Sequence, residues 1–572
     1  MGANYLLNPQ TYTGEHHDHE TKKIFDSVIE FYENKGLDKL NEDDADYKVC
    51  YDMLKFQARN QIFARLLTPK EHGDENSFFD LRRITEFNEL LAFYGIGNRY
   101  PFQVTMLGLA PIWMGTNIKV QKWAAQKLKE GRIFAYGISE KEHGADLYSN
   151  EMCVSELPDG NYRADGSKYY IGFSNIAITT TFAKLKDTKD EWVMFAADSR
   201  HPHYNDVKRI RTSTYGSGYV GEYRLVDYPI HKTDIYAFGK KAWEEALAAI
   251  NIGKFMVGVS PIGICTHSLY ESLRHSFNRI LYGKKVTAMA HIRRFYSEAY
   301  LRLLGMRLYV YRACDYFRCS SSEDRRYLLY NPIVKMKTGL EGVKVMTNIL
   351  DAASAKAFEK DTYTETATRD IQGPPRLEGT AHVNMNLVIK CIESFFSNHK
   401  EYPNIPVRED LCDDNNLFNQ EYGSIASIRF NDYSKTYKKF LDMPNVAQLY
   451  KQAEIFEKLF RECPLEKSLT KKIDYMLNLG HMFVLIVYGQ LILEGADNNG
   501  IHKRTINQLF GLYVSDMAAY ALEQISKHAM SDQQASLLKQ IIGITPVIDV
   551  DQWEAVWTED VEPLNDVFIM PN

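Results

Sequence analysis

The sequence is short of several things, and each shortage narrows what the chain can be. Its strongest apolar run, Met482 to Leu493, is about a dozen residues and contains Gly489 and Gln490. A bilayer crossing takes roughly 20 apolar residues, so a buried helix is expected there and no membrane span. There are eight cysteines, at 50, 153, 265, 314, 319, 391, 412 and 463, and no Cys-x-x-Cys pair. Thiols so few and scattered are expected to be reduced and buried, in a cytoplasmic protein. No basic tract is present. The formal charge is -6, and the C-terminal stretch carries Asp549, Asp551, Glu554, Glu559, Asp560 and Glu562. A nucleic-acid binder would need a positive patch, so no nucleic-acid partner is expected. The residues Met1 to Pro9 lack the charged and long apolar regions of a secretory signal. There is no internal repeat and no low-complexity tract.

What the chain does have is length and aromatic rings. At 572 residues it exceeds what one hydrophobic core usually supports. Its 37 Tyr and 29 Phe suit large pockets and flat ligands, but equally ordinary cores. Apolar spacing predicts helices over His19–Asn34, Tyr47–Leu67, Asp80–Tyr94 and Asn117–Glu130, with Asn117 as an N-cap and Gly131 as a stop. From Arg132 the pattern turns to short β-rich runs: Ile133–Ile138, Asn161–Ala164, Lys168–Ile171, Thr179–Lys184, Trp192–Ala197 and Glu222–Val226. Pro158-Asp159-Gly160 and Asp165-Gly166 read as the turns between them. Helical spacing returns over Ala242–Tyr282, Ala288–Cys319, Tyr330–Ala357 and Ala381–Asn398, enough for a bundle of four. The expected class is α+β, mostly α. It comprises a helical domain at 1–133, a β-domain at 134–238, a helical bundle at 239–398 and a helical extension at 399–572.

Chemistry concentrates in four places. Ile138-Ser139-Glu140-Lys141-Glu142-His143-Gly144-Ala145-Asp146 offers backbone N–H groups, a hydroxyl and a tight Gly-Ala turn, suited to a polar ligand edge; a plain surface turn would look similar. Lys168-Tyr169-Tyr170-Ile171-Gly172-Phe173-Ser174 puts an aromatic plane on a strand. Arg279-Ile280-Leu281-Tyr282-Gly283 sets a forked cation, which matches phosphate oxygens, beside an aromatic residue and a glycine. Arg369-Asp370 leads through Gly373-Pro374-Pro375 to Glu378-Gly379-Thr380, where Glu378 stands just before a helix. Two further groups look structural. Glu15-His16-His17-Asp18-His19 could bind a metal, but no partner ligand is evident in the sequence, so a solvated segment leading a helix is expected and no metal site. Ser320 to Arg326 is expected to be an exposed loop.

In this order and spacing the motifs resemble those of the acyl-CoA dehydrogenase and acyl-CoA oxidase superfamily, over residues 40 to 398. The extension resembles that of its longer members. The resemblance implies FAD as cofactor, held by Ile138, Ser139, Gly144, Tyr170, Gly172, Arg279, Tyr282 and Thr380, with Arg279 reaching the pyrophosphate in a neighbouring subunit. It implies Ala145, Lys254 and Gly379 at the acyl thioester and Glu378 as the base that removes the α-proton. That role is chemically coherent, because a desolvated carboxylate gains basicity and the thioester oxygen needs donors as charge develops. The implied partners are an acyl-CoA or carrier-protein thioester and either an electron-acceptor protein or O2. A homodimer or homotetramer is implied as well. The chain also departs from the family's pattern. Ala145 replaces a serine, Gly172 a threonine whose hydroxyl approaches flavin N5, and Lys254 an arginine. Asp351-Ala352-Ala353-Ser354-Ala355 stands where a glycine-rich phosphate loop is usual. A non-catalytic scaffold of the same fold remains the reading from a different class.

Overall fold

The computed structural model describes residues 5–188, 191–397, 399–420, 423–463, 465–466, 468–527 and 530–572. The chain forms two compact units. A sheet-bearing unit comprises Thr13–Ser260, Glu409–Tyr422 and Met570–Asn572; a helical unit comprises Met1–Tyr12, Pro261–Arg408 and Gly423–Ile569.

In the sheet-bearing unit the chain begins with helices α1 (His19–Lys35), α2 (Leu37–Ala45), α3 (Tyr51–Arg59), α4 (Ile62–Leu67), α5 (Leu81–Tyr94), α6 (Ile96–Met114) and α7 (Ile118–Lys129). Side-chain caps fix several starts: Asp18, Asp80 and Asn117 accept the amides of Thr21, Arg83 and Val120. The single helix expected over Tyr47–Leu67 is two, because Gln61 adopts a left-handed φ of 54° between them. Helix α6 has no counterpart among the expectations. It contains Pro101 and Pro111 and is buried on nearly every side, so it shows neither an amphipathic period nor freedom from helix breakers.

Eight strands follow: β1 (Phe134–Gly137), β2 (Cys153–Glu156), β3 (Tyr162–Gly172), β4 (Ile178–Leu185), β5 (Trp192–Asp198), β6 (Tyr204–Arg209), β7 (Val220–Ile230) and β8 (Ile235–Phe238). They form one mixed sheet in the order β6-β7-β3-β2-β4-β5-β8, with β1 parallel to β4 off this path. The turn expected at Asp165-Gly166 is instead a bulge within β3: the register against β7 slips between Ala164 and Gly166, and Gly166 takes a φ of 140°. Helix α6 lies against β1 at Gly108, where an added Cβ would come within 2.5 Å of the Ala135 carbonyl oxygen. Thr180 donates to the Gly108 carbonyl at 2.5 Å from the neighbouring strand. This close approach fixes β1, and β1 runs directly into the Ile138–Ser139 segment.

Helix α8 (Gly239–Asn278) is divided between the units at residue 260. A two-stranded hairpin follows, β9 (Ile280–Leu281) and β10 (Lys284–Lys285), and then α9 (Ala290–Arg318), α10 (Tyr327–Ala353), α11 (Tyr363–Asp370), α12 (Ala381–Val388) and α13 (Ile392–Phe396). The helix expected over Ala381–Asn398 is thus broken by a 3-10 turn at Ile389–Cys391. No Gly or Pro marks the break, and apolar spacing runs across it; Asn398 lies outside the described residues. The extension adds α14 (Ser434–Tyr437), α15 (Pro444–Glu462), α16 (Ile473–Asn498), α17 (Lys503–Ile525), α18 (Asp532–Gly543) and α19 (Val550–Ala555). These pack into the same unit as the bundle, joined by buried charges. Arg302 on α9 pairs with Glu341 at 2.8 Å and with Asp516 on α17 at 2.9 Å, and Lys344 reaches Asp516 at 2.9 Å.

Helices α8 and α16 are long and apolar enough to cross a membrane by length and composition, and 78% and 89% of their apolar windows are buried inside the protein. Met482 to Leu493 lies within α16 and is buried throughout.

Candidate active site

The first two motifs meet in the sheet-bearing unit. The Tyr169 amide donates to the Ser139 carbonyl at 3.0 Å, and Ser139 Oγ donates to the Tyr169 carbonyl at 2.8 Å. Below this double bond lies a buried ion pair. Lys168 Nζ sits 2.9 Å from Glu140 Oε1 and donates to the Ile138 carbonyl at 3.2 Å. The Glu140 carboxylate also accepts the amides of Glu151 at 2.6 Å and Met152 at 2.9 Å. Burial pushes the Lys168 ammonium down to about 8, against the pull of Glu140. The consequence is local order: Ile138 and Ser139 are tied to β3 from both sides.

Beyond this anchor the chain opens. His143 and Gly144 turn back on the Glu140 carbonyl, and Gly144, Ala145 and Asp146 are exposed. A Cβ placed on Gly144 would meet nothing within 4 Å. Tyr170 takes a left-handed φ of 62° and is 60% exposed, with the Tyr169 ring set edge-on to it at 4.6 Å between centroids. Gly172 is buried where a side chain has no room: an added Cβ would lie 2.5 Å from Val104 Cγ1 and 2.8 Å from Tyr100 Oη. Lys254 is buried on α8.

The remaining motifs lie in the helical unit. Arg279-Ile280-Leu281-Tyr282-Gly283 forms the β9–β10 hairpin, with Tyr282 at φ 53° and Gly283 at φ 73° in its turn. Two consecutive left-handed residues are what a tight hairpin turn requires. Tyr282 is 94% exposed at the tip. Asp351 is exposed at the end of α10, and Ser354 takes the positive φ (59°) in place of a glycine.

Glu378 and Gly379 adopt left-handed backbones, with φ of 51° and 84°. Their loop begins at α11, where Arg369 is paired with Glu365 at 3.0 Å, and ends at Thr380, whose hydroxyl caps α12 by accepting the Val383 amide at 3.3 Å. Within it the Ala381 amide donates to the Pro375 carbonyl at 2.8 Å. The Gly379 carbonyl accepts from Asn384 Nδ2 at 3.1 Å and from Lys335 Nζ. Lys335 and Asn384 escape a motif search. Their only sequence signal is helical register, since Lys335, Gly339 and Gly342 fall on one face of α10.

Two expectations are corrected. The histidine segment is not simply solvated: His16 and His17 place Nε2 atoms 2.8 and 2.9 Å from Oε2 of the buried Glu86, and the His17 side chain is 2% exposed. Arg82 holds the other oxygen of that carboxylate at 2.6 Å. The partner lies on α5, too remote in sequence to be foreseen. The Ser320–Arg326 loop is likewise not wholly exposed, because Arg326 is buried, paired with Asp324 and stacked on Tyr316 and Tyr402.

Residues 241–392 match the family described as "Acyl-CoA dehydrogenase, C-terminal domain". The chain is 20% identical over 302 residues to the short-chain-specific acyl-CoA dehydrogenase of Megasphaera elsdenii, covering 52% of this chain and 78% of that one. It is 21% identical over 344 residues to a 3-(aryl)acrylate reductase of Clostridium sporogenes, covering 59% and 89%. Among solved structures, an acyl-CoA dehydrogenase complexed with FAD from Bacillus anthracis aligns over 99% of this chain and 97% of its own, with a TM-score of 0.76 at 15% identity. Residues 241–392 are thus similar to the C-terminal domain of acyl-CoA dehydrogenases, and the chain shares their fold.

Proposed function

We propose that the protein is an FAD-dependent dehydrogenase that introduces an α,β-double bond into an acyl thioester carried on CoA or on a carrier protein. The observation that carries this reading is the backbone of Glu378. A non-glycine residue in the left-handed region costs of order 1–3 kcal/mol, and here it is followed by a second left-handed residue and a helix cap. At Glu378 this backbone sets the direction in which the side chain leaves the loop.

The residues divide the work. Glu378 takes the α-proton. Ile138, Ser139, Gly144, Tyr170 and Gly172 fit a flavin ring, because an exposed aromatic plane stands beside a rigid backbone edge with open space around Gly144. FAD, when bound, supplies the hydride acceptor. Ala145, Lys254 and Gly379 are assigned to the thioester and Thr380 to the cofactor; Thr380 also caps the helix that follows Glu378. Arg279 leads into the hairpin whose tip, Tyr282, is exposed, and is assigned to the pyrophosphate of a second copy in a homodimer or homotetramer. The fit at the phosphate end is looser, since Asp351 adds negative charge there. All eight cysteines are free thiols, in keeping with a reduced, cytoplasmic setting.

Purified protein titrated with straight, branched and aryl acyl thioesters tests the reading. It predicts a yellow protein whose turnover reduces an artificial dye acceptor. Stoichiometric hydrogen peroxide with no preference for dye would make it an oxidase. Protein that stays colourless after reconstitution with FAD would contradict both.

A further inference from the structure

Lys335 is fully buried on α10, and among its contacts its ammonium group donates to the backbone carbonyl of Gly379. Burying an ammonium costs several kcal/mol even after relaxation, and a methionine of similar volume would fill the same space without that cost. The carbonyl it reaches belongs to the residue directly after Glu378. Asn384 Nδ2 donates to that carbonyl at 3.1 Å and to the Thr380 carbonyl at 3.0 Å. One helical turn along α10, Gly339 lets the Pro375 backbone approach: an added Cβ would lie 3.1 Å from its nitrogen. One further turn on, Gly342 admits Ile371, whose Cδ1 would stand 2.7 Å from an added Cβ. One face of α10 therefore grips the loop at Ile371, Pro375 and Gly379.

We infer that Lys335 is the positioning residue of the Glu378 loop: with Asn384 it clamps the Gly379 carbonyl and so fixes the direction in which Glu378 points. The physical need follows from the backbone. Gly379 at φ 84° has more freedom than any other residue type, and Glu378 at φ 51° is in a sparsely populated region. Without the clamp the Gly379 carbonyl loses two donors, and the direction of the neighbouring Glu378 is less closely set. Lysine suits the task because a charge-assisted hydrogen bond is stronger than a neutral one, and its long stem spans from the helix to the loop. The inference rests on reading Glu378 as the base, but it concerns a different residue and fails separately.

The test uses the full-length FAD-loaded protein and 3,3-dimethylbutyryl-CoA, whose β-carbon bears no hydrogen. Exchange of its α-protons in D2O reads proton abstraction without oxidation. Lys335→Met is expected to slow this exchange about 10- to 100-fold, leave the thioester Kd within about threefold, and speed amide exchange in the 375–384 peptide. Lys335→Arg is expected to recover most of the α-proton exchange. Glu378→Gln serves as the control and should abolish it. If Lys335→Met exchanges α-protons at the wild-type rate while Glu378→Gln is silent, the Lys335 inference is overturned and the base stands. If wild type shows no exchange, or Glu378→Gln retains it, the reading of Glu378 itself fails. Should Lys335→Met not fold, Asn384→Ala removes the other half of the clamp. The same changes in smaller measure are then expected, and wild-type behaviour there would also overturn the inference.

Discussion

Lys168 and Glu140 form an ion pair of 2.9 Å with the lysine side chain wholly buried and the glutamate 6% exposed. The pair sits beneath the two bonds that join Ser139 to Tyr169, so it supports the backbone assigned to the flavin ring. Removing one partner of a buried pair leaves an uncompensated charge, which costs about 3–5 kcal/mol. Lys168→Met is therefore expected to lower the first thermal transition by many degrees and to weaken FAD retention. Adding Glu140→Gln should restore part of the loss. A single variant that melts with wild type, followed by calorimetry, would show that the pair carries no weight.

Glu245 on α8 is 1% exposed, with Lys241 at 3.4 Å and the like charge of Glu244 nearby. Burial raises its pKa from 4.5 to about 7. The folded state then holds a proton that the unfolded state releases between these values, so the unfolded state binds fewer protons. This group's contribution is fully present below about pH 4.5, falls as pH rises to about 7, and is flat above. The difference is about 3 kcal/mol at most. Glu245→Gln should raise the melting temperature at pH 8 and change it little at pH 4. An equal effect at both values would contradict the assignment.

Placing a threonine at position 172 should harm the protein. The added Cβ would collide with Val104 Cγ1 and Tyr100 Oη, and overpacking of this kind costs about 1–3 kcal/mol. Gly172→Thr is expected to be less stable by that amount in denaturant unfolding, and Gly172→Thr with Val104→Ala to recover part of it. Full stability of the single variant would mean that the site adapts.

Much of this was legible in the sequence. Helix starts with side-chain caps, such as those at Asn117 and Asp80, could be located because the capping residue is local. All six expected runs fall on strands of the sheet, two of them, Asn161–Ala164 and Lys168–Ile171, on the single long β3. What could not be read were features made by distant packing. Helix α6 is buried all round and carries two prolines, so it lacks a period. The link of His16 and His17 to Glu86 joins segments about 70 residues apart. The reason for Gly172 lies in Tyr100 and Val104, and the Lys335 contact lies 44 residues from its loop. Local chemistry suggested where the site residues are; only the fold shows what holds them.

The central claim is that Glu378 removes a proton so that a bound flavin can be reduced. Anaerobic mixing of the FAD-loaded protein with an accepted acyl thioester, followed by absorbance near the flavin band, tests it most directly. The account predicts rapid bleaching in wild type and, in Glu378→Gln, bleaching slowed by at least about a thousandfold with FAD content and thioester binding retained. Bleaching of Glu378→Gln at the wild-type rate would contradict it.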